Sequence, residues 1–126
     1  MKQRFVRPGD ELSDDTVIVV RGGTLDDVDV LDDALAAFEV YGVYAVSVFA
    51  LVGTTMDELA QEPPLVRFEW LTLMTAGGTV RRAGLRLLPT GRRTLHHSIE
   101  FDDLPDGIAR LQSCEHRTVV NPYYVR

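Results

Sequence analysis

The chain has 126 residues, 45% of them hydrophobic and 25% charged, with ten glycines, six prolines and a single cysteine. That make-up suits one ordinary globular α+β domain, 1–126, able to bury roughly two-thirds of its unfolded surface without metal or disulfide staples. A net charge of −6, a lone Cys114, no apolar run of about 18 residues and no signal-like N-terminus exclude a disulfide scaffold and a helical membrane protein, and predict a soluble, cytoplasmic protein.

In chain order, Arg4 to Arg7 reads as a short edge strand stopped by Pro8-Gly9, and Ser13 to Asp15 as a turn. Thr16 to Arg21 is β-branched and apolar on both parities, the pattern of a strand covered on both faces. Thr24 and Asp27 have capping-box spacing, and the aspartates that follow load the positive end of a helix over 26–41. Leu31, Leu35 and Phe38, with Ala34 beside them, recur at helical spacing as its buried side, and Gly42 ends it. Val43 to Ala50 is a second central strand. Strand, helix and strand together predict a right-handed crossover with a parallel pair.

Thr55 and Glu58 repeat the capping-box spacing for a short helix that Pro63-Pro64 terminates. Leu65 to Met74 alternates like a half-exposed strand, and Thr79 to Ala83 forms a helical turn. Leu85 to Leu88 and Thr94 to Phe101 flank Pro89-Thr90-Gly91 as a hairpin. A second longer helix spans 103–113, burying Leu104, Ile108 and Leu111, before an extended segment and the Asn121-Pro122-Tyr123-Tyr124 turn. The expected architecture is a mixed β-sheet of about five or six strands with two longer helices and short helical turns.

Charge is distributed unevenly. Residues 1–63 carry four cations and thirteen carboxylates, and residues 64–126 carry nine and six. Arg81, Arg82, Arg86, Arg92 and Arg93 cluster in the second half, and arginine is the better fork for carboxylate and phosphate. With Tyr123 and Tyr124 they make a candidate partner-binding face, since Tyr and Arg concentrate at interface centres. The expected partner is an acidic protein or a like subunit; nucleic acid is disfavoured by the overall negative charge.

For catalysis, His97 shares a strand face with Leu95, Ile99 and Phe101 and is expected to point into the core. It is either a histidine bonded to a backbone carbonyl or, kept neutral by burial, a base near pH 7. A metal-independent ribonuclease would use His97 or His116 as base and acid with Arg92 or Arg93 on the phosphate. Cys114, His116, His96 and His97 include zinc-type donors, but adjacent His96 and His97 face opposite ways and one Cys cannot supply paired ligands, so no metal is expected. Arg21-Gly22-Gly23-Thr24 stands where helix amides often hold phosphate, yet lacks the P-loop and dinucleotide glycine patterns, and no cofactor is expected.

The order Arg21-Gly22-Gly23, helix, strand bearing Tyr44 and Ser47, later strand bearing Glu100 resembles the core of ADP-ribosyltransferases. The resemblance covers about eight residues and lacks the Glu-x-Glu turn. It implies NAD-dependent transfer with Arg21, Ser47 and Glu100 in the site. The sequence thus favours a small interaction protein, with a toxin-like transferase or ribonuclease using Arg21, Ser47, His97, Glu100 and His116 as the alternative.

Overall fold

The computed structural model describes residues 12–20, 24–63, 65–78, 82–91 and 95–125. Among them are six strands: β1 (Val17–Val20), β2 (Tyr44–Ala50), β3 (Trp70–Thr75), β4 (Arg86–Pro89), β5 (His96–Phe101) and β6 (His116–Val120). Three helices accompany them, α1 (Asp27–Tyr41), α2 (Met56–Ala60) and α3 (Leu104–Ser113), and Leu65–Arg67 form a 3-10 turn. The segment 65–67, expected as the start of a strand, coils instead, so β3 begins only at Trp70. Arg4 to Arg7, and most of the turn expected at 79–83, lie outside the described residues.

The strands form one sheet in the order β4-β5-β2-β1-β3-β6, and every pair is antiparallel. The α+β class is as the sequence indicates, but the mixed sheet and the parallel β1–β2 pair are corrected. Residues 21–43 are long enough to bring the chain back at either end of a four-residue strand, so connection length does not choose the direction. The pairing is chosen by side chains that are distant in sequence: Ile18 sits between Ala50 and Met74, and Val19 between Phe49 and Leu73.

Alternation along these strands divides the core in two. Ile18, Val20, Val46, Val48 and Ile99 join Val30 and Ala34 of α1 and Leu111 of α3 in one cluster. Val19, Phe49, Leu71 and Leu73 pack with Leu59 and Ala60 of α2 and with Leu65 in the other. Central β1 is therefore buried on both faces, as its β-branched run indicates.

The helix ends follow local chemistry. The Asp26 carboxylate accepts a hydrogen bond from the Asp29 backbone N–H at 2.8 Å, while the Thr24 hydroxyl lies 2.8 Å from the Asp29 carboxylate and 3.0 Å from that of Asp26. Asp26, rather than the Thr24 and Asp27 pair, caps the helix. Asp26→Ala should cost about 1 kcal/mol in urea unfolding, the usual loss when an N-cap acceptor is removed. At the other end Gly42 takes φ 80° and donates to the Phe38 carbonyl at 2.8 Å, a left-handed closure that favours glycine. Thr55 caps α2 through the Glu58 N–H at 3.2 Å, with the Glu58 carboxylate accepting from its hydroxyl at 3.1 Å.

Which side of α1 is buried differs from expectation. The core is entered by Val30 and Ala34, and Leu31, Leu35 and Phe38 are exposed. Small Ala34 allows a close approach that a leucine would hold off, so the helix is rotated about its axis by about a quarter of a turn from the orientation that the larger side chains imply.

Candidate functional site

The candidate catalytic residues do not gather at one point. His97 faces Val48 on one side and Pro89 on the other, on the sheet face of the first core cluster. It is buried, with Nδ1 3.1 Å from the Leu95 carbonyl oxygen; a ring nitrogen at that distance from a carbonyl carries the proton and donates it. Ser47 and Glu100 project from the opposite face of β2 and β5, where Ser47 is paired with Ser98 and Ala45 with Glu100. His116 begins β6, beyond β2, β1 and β3, and its Nδ1 donates to the Cys114 carbonyl at 2.6 Å. Arg21 lies outside the described residues. Cys114 is buried, its Sγ 3.4 Å from the Arg110 carbonyl oxygen.

Of the arginine group, Arg81, Arg92 and Arg93 also lie outside the described residues. Arg86 is held from both sides, by the Asp102 carboxylate at 2.6 Å and the Glu100 carboxylate at 3.5 Å. Arg82 borders a cleft of about 440 Å³ beside Asp14, Asp15, Glu115, His116 and Arg117, a mixed-sign lining with no single charge to select a ligand. Tyr123 packs back against the second core cluster, and Tyr124 is half-buried beside it in the chain.

A second cleft, about 340 Å³, has Asp33 and Tyr41 of α1 and Ser47, Thr90, His96 and Ser98 among its lining. Three of its polar residues, Thr90, His96 and Ser98, are bonded to one another. Thr90 Oγ1 is 2.7 Å from Ser98 Oγ and 3.1 Å from His96 Nδ1, and that same Nδ1 lies 2.9 Å from the Thr90 carbonyl. Donating to the carbonyl, Nδ1 cannot also take a proton from the Thr90 hydroxyl, so the row ties the end of β4 to β5 and does not form a nucleophile and its base.

A different surface stands out, one the sequence reading assigned to the core. Along α1, Val28, Leu31, Leu35 and Phe38 follow at intervals of three, four and three residues and are 65%, 36%, 45% and 38% exposed. Such spacing puts them in one line on the helix, about 15 Å from first to last at 1.5 Å per residue. Phe38 is fixed by stacking on Tyr44, ring centres 4.5 Å apart and planes 17° from parallel. The sequence does carry a signal for it: α1 has a second apolar line beside Val30 and Ala34, and a helix needs one to pack on a core.

Compared with protein-family models, with curated proteins and with solved structures, the chain matches none.

Proposed function

We propose that the protein is a protein-binding module that docks a partner on the outward side of α1. The observation that carries this reading is the exposed line Val28, Leu31, Leu35 and Phe38. Scattered surface apolar residues need no explanation, but four in register on one helix make a contiguous patch of the kind that marks interaction sites. A rigid helix presenting side chains at three- and four-residue intervals is also a recurrent recognition element. The interaction role expected from sequence is kept, and its surface moves from the second-half arginines and tyrosines to α1. Arg86 is already engaged by two carboxylates, and Tyr123 is used in packing. The transferase and ribonuclease alternatives need Ser47, His97, Glu100 or His116 around one cleft, whereas among the described residues His97 projects away from Ser47 and His116 sits three strands from β2.

The test is affinity capture from the native host with three tagged proteins: wild type, Leu31→Ser/Leu35→Ser, and Val52→Ser, an exposed apolar residue outside α1. Removing exposed side chains should leave folding within about 0.5 kcal/mol each. A protein identified by mass on the wild type and on Val52→Ser should be depleted at least tenfold on the double variant, since interface truncations of this kind cost about 1 kcal/mol or more apiece. Equal retention by all three, or bound nucleotide or RNA in place of protein, overturns the reading.

A further inference from the structure

The charges beside the apolar line define what it can accept. The helix carries Asp27, Asp29, Asp32, Asp33 and Glu39 and no basic residue, and no Lys or Arg occurs between Gly22 and Val66. Asp32 and Glu39 are seven residues apart, two turns on the same side, and follow Leu31 and Phe38 directly in the chain. Both are exposed, and neither is ion-paired among the described residues. The line and these two carboxylates have the arrangement of a coiled-coil seam with one flanking charged rail, the apolar positions spaced three and four and the acids recurring every seventh residue.

Resting on the docking reading above, we infer that the partner of α1 is a basic amphipathic helix, with apolar residues at three- and four-residue spacing and Lys or Arg beside them. A seam of this width accepts one helix ridge, and unpaired acids along it favour cations across the interface. A second copy of α1 would bring like charges together, because the Asp32 and Glu39 rails face each other in an antiparallel pair and Asp32 meets Asp27 in a parallel one. Nucleic acid and anionic lipid are repelled by the same rail. An acidic protein, the partner expected from the arginines, is repelled as well.

The probe is a pair of synthetic three-heptad peptides with Leu and Ile at the apolar positions, one with Lys at the flanking positions and its twin with Glu there. Binding to the intact protein is followed by titration calorimetry at 50 and 300 mM NaCl, and light scattering reports self-association. The Lys peptide should bind at least tenfold more tightly than the Glu twin and weaken severalfold at the higher salt. Asp32→Lys/Glu39→Lys should weaken the Lys peptide at least tenfold and improve the Glu twin, and Asp32→Asn/Glu39→Gln should fall between. Leu35→Asp should lose both peptides.

Failure of the inference and failure of the docking reading give different results. If Leu35→Asp abolishes binding but the charge variants change nothing, or the Glu twin binds equally well, the basic partner is wrong while the docking surface stands. If Leu35→Asp changes nothing, or neither peptide binds, both are overturned. A dimer of the wild type that Leu35→Asp dissolves would replace the basic helix by a second copy of the chain.

Discussion

Gly107→Ala should destabilise the protein by about 2 kcal/mol, although alanine is the better helix former by about 1 kcal/mol. The sign is decided by space. Gly107 is buried in α3, and a Cβ built on it would overlap the Phe101 side chain, its own Cβ and the root of its ring included. Those atoms cannot swing aside, because Phe101 is held at the end of β5 by its pairing with Tyr44 and is itself buried. α3 must lift from the sheet, opening the core around Leu111, and overpacking of this kind costs about 1–3 kcal/mol. For a domain of total stability about 5–15 kcal/mol that is a large share. Urea unfolding measures it, and Gly107→Val should be worse. A stabilised alanine variant would show that α3 does not touch β5 through this glycine.

Asn121→Asp should be the most damaging near-isosteric change outside the helices, costing about 3 kcal/mol. The Asn121 amide is buried and donates to two carbonyls, those of Ala60 at 3.2 Å and Leu65 at 3.0 Å, while its oxygen accepts from the Tyr123 N–H at 3.0 Å. One side chain thus joins the end of α2, the 3-10 turn and the C-terminal turn over the second core cluster. Aspartate keeps the acceptor and removes both donors, leaving two buried carbonyls facing a carboxylate. Asn121→Ala removes the same bonds without adding charge and should cost about 2 kcal/mol. Thermal or urea unfolding of the two variants gives the ranking, and an aspartate variant milder than the alanine one would mean that the amide donors do not hold this corner.

What the sequence revealed and what it concealed follow from the range of the forces involved. The helices expected at 26–41 and 103–113 appear as Asp27–Tyr41 and Leu104–Ser113, since their ends are set by neighbours in the chain: Asp26, Asp103 and Gly42. The burial of His97 followed from its place in an alternating strand. Strand direction did not follow, because β1 pairs with β2 and β3 through contacts that no short window contains. Nor did the buried side of α1. Two apolar lines lie on that helix, and size favoured Leu31, Leu35 and Phe38, whereas close packing favoured Val30 and Ala34. The docking surface was concealed for that same reason, as its residues have the composition of a core. The ties of Arg86 were equally invisible, because Glu100 and Asp102 are fourteen and sixteen residues away and are brought near only by the β4–β5 ladder.

The openness of the α1 surface is tested most directly by methyl NMR of Val28, Leu31 and Leu35 with a soluble paramagnetic agent, first on the isolated protein and then with the Lys-flanked peptide. The methyl groups of these three residues should relax strongly in the free protein and become protected when the peptide is added, with Val30 shielded throughout. Methyl groups already shielded in the free protein, or still exposed once the peptide is bound, would contradict a docking surface on this helix.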